Sequence, residues 1–254
     1  LTIADSIILG IIQGVTEFLP VSSTGHLILA SKLLGIEQDN FQKSFEIVIL
    51  FGACLATFFL YLEKVLHEKT LWLKLLVAFL PTGILGFLFY KHIKALFVPS
   101  TVAYMLIIGG VIFIIIEFFY KASEKHINNF REISYKQAFL IGVAQSFSMI
   151  PGTSRSGSTI IGGLLVGLNR KTAVEFSFML SVPTIMIATL FDVYKHYNEF
   201  TFDHWQLMFT GFVVAFLTAI VAIKTFLKII TKYNFVPFGI YRILIGVSFL
   251  YFMS

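Results

Sequence analysis

Two stretches of this chain place polar and ionisable side chains inside otherwise apolar sequence. In the first, Gln13 and Glu17 stand four residues apart, and Ser22-Ser23-Thr24-Gly25-His26 follows Pro20. In the second, Pro151-Gly152-Thr153 leads into Ser154-Arg155-Ser156-Gly157-Ser158-Thr159. The i, i+4 spacing puts Gln13 and Glu17 on one helix face. A charge in hydrocarbon costs about 2.5–3.5 kcal/mol on insertion scales, so Glu17 and Arg155 each need a partner, a wet cavity or a ligand. Glu17 can hold a cation or act as a base. Hydroxyls at a helix start cap free N–H groups, which explains one of them but not three in a row beside a histidine. N–H groups left over at a helix start bind anions, phosphate above all. His26 adds a proton-transfer group or a nucleophile, and the planar fork of Arg155 matches phosphate oxygens bidentately. A purely structural alternative is a fixed Arg155–Glu17 ion pair; it is compatible with the functional reading if the pair opens when an anionic substrate arrives.

The two stretches are versions of one another. Gly10/Gly142, Gln13/Gln145, Ser22/Ser154 and Gly25/Gly157 coincide without a gap at an offset of 132. Glu17 and His26 belong only to the first copy and Arg155 only to the second, which suggests one site assembled between two halves.

The elements that must position these groups follow from composition. The chain is 57% apolar and 13% charged, about half the charge of a soluble domain. Apolar runs near 45–63, 71–90, 100–120, 173–192, 206–224 and 236–253 each approach the ~20 residues a helix needs to cross a bilayer. The motif-bearing elements, about 4–34 and 138–168, are broken: Pro20 and Pro151 interrupt helices too short to cross. The predicted fold is therefore all-α and polytopic, with about six full transmembrane spans and two re-entrant helical hairpins. It is read as one integral membrane domain over 1–254, with repeat one about 1–125 and repeat two about 133–254. Three crossings per half would invert the second half relative to the first. That topology gathers Lys64, Lys69, Lys121, Lys125, Arg131, Lys136, Arg170, Lys171, Lys224, Lys228 and Lys232 on one side, against Lys32, Lys43, Lys91, Lys94 and Lys195 on the other. The richer side is expected to be cytoplasmic, leaving both termini outside.

Other classes are disfavoured. The net charge of +5 sits in short loops and reads as a topology signal rather than a nucleic-acid surface. Cys54 is the single cysteine and is expected to be a buried hydrophobe. No cleavable signal peptide is expected at the start. No spacing fits a zinc site, and no glycine loop ends in Lys-Ser/Thr, against nucleotide hydrolysis. Glu46 and Glu175 occupy matching places in the two halves and could cap a helix or line the cavity. His67, His92, His126, His196 and His204 fall in loops and are expected to be solvated.

At these residues the chain resembles the undecaprenyl-diphosphate phosphatase family, integral-membrane proteins linked to bacitracin resistance. The family's Glu/Gln-x-x-x-Glu motif is met by Gln13 and Glu17, its Pro-x-Ser-Ser-Thr-Gly-His run by Pro20 to His26, and its Pro-Gly-x-Ser-Arg-Ser-x-x-Thr motif by Pro151 to Thr159. Many members carry glutamate at position 13, so Gln13 is given a positioning role. The resemblance implies hydrolysis of a C55 isoprenoid diphosphate to the monophosphate in the bacterial cytoplasmic membrane, with a divalent cation, Mg²⁺ or Ca²⁺. Glu17, Ser23, His26 and Arg155 are then the catalytic set, with Glu17 the metal ligand. Gln13, Ser22, Thr24, Gly25, Ser154, Ser156, Gly157 and Thr159 form the substrate-binding set. Three nucleophiles are open: Ser23 with His26 as its base, which is preferred, His26 itself, or a water activated by Glu17. The rival is a lipid-phosphate transporter, since inverted repeats with broken helices are a transporter signature; a homo-oligomer is left open.

Overall fold

Thr2 and Ser134 begin the same local structure twice. Each caps a helix through a capping box: the Thr2 hydroxyl accepts from Asp5 N and Asp5 accepts from Thr2 N, and Ser134 and Gln137 do the same. Such reciprocal capping satisfies two otherwise orphaned donors. The computed structural model describes residues 1–121, 123, 126–195 and 204–253. Lys125 and His196, named above, lie outside the described residues.

From these caps the two stretches run in parallel at the 132 offset. Helix α1 (Ile3–Thr16) is followed by a turn and α2 (Ser23–Leu33). Helix α7 (Tyr135–Ser146) is followed by a short 3₁₀ turn at Phe147–Met149 and α8 (Arg155–Leu165). Both second helices end on a glycine in the left-handed region, Gly35 (φ 67°) and Gly167 (φ 93°). In each, the next N–H folds back onto the helix, Ile36 to Ser31 O and Leu168 to Gly163 O, as a glycine C-cap requires.

Between the hairpins lie α3 (Asn40–His67), α4 (Lys69–Leu88), the short α5 (Tyr90–Ala95) and α6 (Pro99–Phe119); after them come α9 (Arg170–Lys195), α10 (Trp205–Ile230) and α11 (Val236–Met253). Among the described residues there is no strand, only an isolated bridge between Ile127 and Leu168. Among the described residues five helices, α3, α4, α6, α9 and α10, are long and apolar enough to cross a membrane, while α1 and α11 are apolar but shorter. The sixth expected span falls on α11, which is shorter than those five. Large apolar side chains face outward on these helices, among them Phe87, Phe118, Leu190 and Val221, a surface that suits lipid and would be a liability in water.

Each hairpin's first helix packs on a helix of the other half. Helix α1 lies on α10, where Gly10 and Gly14 leave room for the Gly211 and Ala215 carbonyls; α7 lies on α4, with Gly142 against the Ala78 backbone. Small residues at such crossings let helices approach closely where lipid supplies no hydrophobic drive. The core between the halves is aromatic: Phe18, Phe113, Phe176, Phe178, Phe226 and Phe235 are all fully buried, and Phe18 meets Phe178 edge-on at 5.4 Å. Cys54 is buried as expected.

Gly152 is doubly constrained. Its φ is 91°, and an added Cβ would sit 2.5 Å from Val102 O. Gly152→Ala is expected to lower stability by at least about 1–3 kcal/mol from backbone strain alone, measured as a fall in the thermal melting point in detergent.

Candidate active site

The turns of the two hairpins meet. Glu17 caps the end of α1, and Arg155 is the first residue of α8. Arg155 Nη2 donates to Glu17 Oε1 at 2.9 Å, with side chains only 11% and 7% exposed. The other carboxylate oxygen, Oε2, accepts from Gln13 Nε2 at 3.1 Å and from Ser23 Oγ at 2.7 Å. Glu17 thus joins the motif of one stretch to that of the other. Arg155 Nη1 donates to Ser177 O at 3.0 Å, while its Nε is buried and has no hydrogen-bond acceptor. Beneath it, the Phe18 ring centroid lies 5.8 Å from the guanidinium carbon, close enough for a cation–π contribution.

The turns are held in a strained backbone. Ser22 (φ 71°) and Ser154 (φ 76°) are non-glycine residues in the left-handed half of conformational space, at a cost of about 1–3 kcal/mol each. Both are N-caps, and their hydroxyls accept from Gly25 N (3.4 Å) and Gly157 N (3.1 Å). The same strain recurs at matching positions of the two turns, beside the buried Arg155–Glu17 pair.

Several expected groups serve the framework. Ser156 Oγ donates across the hairpins to Leu19 O at 2.9 Å and lies 3.1 Å from Ser154 Oγ. Thr159 bonds the Arg155 and Ser156 carbonyls and the Ser177 hydroxyl. Gly25 faces Val102 and Leu106, and Gly157 faces Phe113 and Arg242. Thr24 is half-buried beside Ser23. Glu46 bonds Gln38 and Gln42, and Glu175 pairs with Lys64 at 3.4 Å; neither joins Glu17.

His26 stands differently from the expectation. It does not bond Ser23, whose hydroxyl is given to Glu17. Helical side chains lean toward the N-terminus, and His26 Nδ1 lies 2.8 Å from Ser22 O, one turn back. A carbonyl can only accept, so Nδ1 carries a proton, and when the ring is neutral the lone pair is on Nε2. Nε2 in turn lies 2.8 Å from the Tyr241 hydroxyl, and the two rings stack at an 8° interplanar angle. Tyr241→Phe keeps the stack but removes the cap on Nε2. Faster carbethoxylation of His26 by diethyl pyrocarbonate is expected, measured by peptide mass spectrometry.

Tyr241 and Arg242, on α11, were not anticipated. Arg242 is fully buried and reaches both hairpin turns, Pro20 O and Gly152 O, at 3.1 Å each. Like Arg155 it is a charge in an apolar run, and the same cost of burial could have marked it. Glu117 in α6, which accepts from Arg170 at 2.7 and 3.0 Å, carried the same signal.

The family described as bacitracin resistance protein BacA matches residues 6–248. The chain belongs to the BacA family. Its relatives include the undecaprenyl-diphosphatase of Persephonella marina, 60% identical with 99% of each chain covered. Those of Wolinella succinogenes, 57% identical over 99% of this chain and 98% of the relative, and Methanococcus aeolicus, 50% identical over 98% of each, are similar. With five helices able to cross a bilayer, this BacA-family chain is a multi-pass membrane protein.

Proposed function

We propose that this protein hydrolyses undecaprenyl diphosphate to undecaprenyl phosphate and inorganic phosphate, recycling a lipid carrier for cell-wall synthesis. The observation that carries the reading is the Ser23–Glu17–Arg155 chain, in which a hydroxyl, a carboxylate and a guanidinium from two hairpins are joined by bonds of 2.7 and 2.9 Å. Relatives named undecaprenyl-diphosphatase at 50–60% identity over nearly the whole chain support the substrate.

Arg155 is the phosphate-holding group. Its spare Nε–H and its exchangeable bond to Glu17 let it turn to an arriving diphosphate, aided by N–H groups at the starts of α2 and α8. As Arg155 shifts, Glu17 gains basicity while still accepting from Ser23. Ser23 Oγ attacks the terminal phosphorus, its proton passes to Glu17, and the bridging P–O bond breaks to release undecaprenyl phosphate. Water then attacks the phosphoserine, Glu17 returns the proton to Ser23 Oγ, and inorganic phosphate leaves. Arg155 stabilises charge on the transferring phosphoryl group in both steps. Glu17, rather than His26, is the base in this scheme, and Gln13 orients it.

A divalent cation fits the donor chemistry, since Glu17 and the neighbouring serines offer hard oxygens. Among the described residues no three His, Cys, Asp or Glu cluster as a cage, so Glu17 Oε1, the oxygen that does not accept from Ser23, would hold Mg²⁺ or Ca²⁺ together with substrate phosphate oxygens and water. When bound, the cation neutralises phosphate charge. EDTA is expected to suppress phosphate release and added Mg²⁺ or Ca²⁺ to restore it.

The topology we propose is two inverted halves of three spans each, counting α11 as the sixth span, with α1–α2 and α7–α8 re-entrant hairpins meeting tip to tip. The parallel caps, the glycine ends and the crossed packing of α1 on α10 and α7 on α4 support it. The chain then forms one domain in the bacterial cytoplasmic membrane with both termini outside. Phosphate release by purified protein from undecaprenyl diphosphate in detergent tests the function. A protein that moves the lipid phosphate across liposomes and releases no phosphate is a transporter, not this enzyme.

A further inference from the structure

We infer that Arg242 is the positioning residue that locks the two hairpin turns in register, so that Glu17 and Ser23 from one meet Arg155 from the other. Its guanidinium is fully buried and bonds only backbone carbonyls: Nε to Leu106 O (3.3 Å), Nη1 to Pro20 O (3.1 Å), Nη2 to Met105 O (3.0 Å) and Gly152 O (3.1 Å). Pro20 and Gly152 are corresponding positions of the two turns at the 132 offset. One side chain from α11 therefore holds the same point of both copies, and two carbonyls of α6 hold that side chain.

The surroundings are shaped for it. A Cβ on Gly109 would collide with the Arg242 guanidinium, and one on Gly110 would lie 3.2 Å from Arg242 Cβ. Phe113 lies beneath, its ring centroid 6.0 Å from the guanidinium carbon. Among the described residues no carboxylate pairs with Arg242. A buried cation bound by four carbonyls suits a fork of fixed geometry, because each donor direction is set by the plane. Lysine has the charge but not the plane, and cannot reach four carbonyls on three segments.

The activity half of the test rests on the phosphatase reading; the distance half does not. Leu33 and Leu165, exposed at the ends of α2 and α8, take spin labels as cysteines in a Cys54→Ala background. Pulsed electron resonance then reads the hairpin separation while circular dichroism reads helix content. Wild type should give one narrow distance. Arg242→Lys and Gly109→Ala, which displaces the arginine without touching its charge, should both broaden or shift it at unchanged helix content. Both should lower kcat by about a hundredfold, the scale of an ångström-sized misplacement, with KM changed far less. An unchanged distance in both variants, or wild-type kcat in Arg242→Lys, overturns the inference. A shifted distance in a protein whose wild type releases no phosphate keeps the clamp and removes the phosphatase reading instead.

Discussion

Arg155→Met is expected to lower phosphate release by about 10²–10³, and adding Glu17→Gln should restore stability without restoring activity. The two side chains are 11% and 7% exposed and meet at 2.9 Å. Removing the arginine alone leaves a buried carboxylate without its cation, which costs about 3–5 kcal/mol. The amide that replaces the Glu17 carboxylate in the double variant has no charge to strand, so the melting point should return close to that of wild type. Activity should not follow, because the group that holds phosphate and stabilises the transferring charge is gone, a loss on the order of 10²–10³. Thermal melts and phosphate release on the same preparations separate the two effects. A double variant that regains activity along with stability would mean that the pair only holds the hairpins together.

Ser23→Ala is expected to reduce turnover by at least about a hundredfold, the lower range for losing a positioned proton-transfer pair. Wild type quenched during turnover should carry a phosphoserine at residue 23, stable in acid and lost in base. The expectation follows from the 2.7 Å bond that gives the Ser23 proton to Glu17, while His26 Nε2 is occupied by Tyr241. A phosphate bond labile in acid and stable in base would assign the nucleophile to His26. A turnover that leaves no covalent phosphate would assign it to water.

The sequence made the charged ends of the site legible because hydrocarbon makes charge costly: Glu17 and Arg155 could be singled out, and even paired, from that principle alone. Proline breaks and the 132 offset likewise located the two turns. Hydrogen-bond direction was not legible. That Ser23 turns to Glu17 and His26 to Tyr241 depends on where α11 crosses, which no local pattern encodes. The repeat also extends further than side-chain identity suggested, because Thr2 and Ser134, or Asp5 and Gln137, cap alike while differing in residue. Ser156 and Thr159 read as ligands by motif, yet their hydroxyls bond Leu19 O and Ser177. A buried hydroxyl satisfied by the framework and one offered to a substrate look the same in sequence.

The central claim is that neither hairpin carries the chemistry alone. It is tested most directly by measuring phosphate release from undecaprenyl diphosphate for wild type, Glu17→Gln and Arg155→Met side by side in one detergent. Each variant removes one hairpin's contribution, and helix content confirms that each is folded. Robust release by wild type and a loss of about a hundredfold or more in each variant are expected. Wild-type release by either folded variant would contradict the claim.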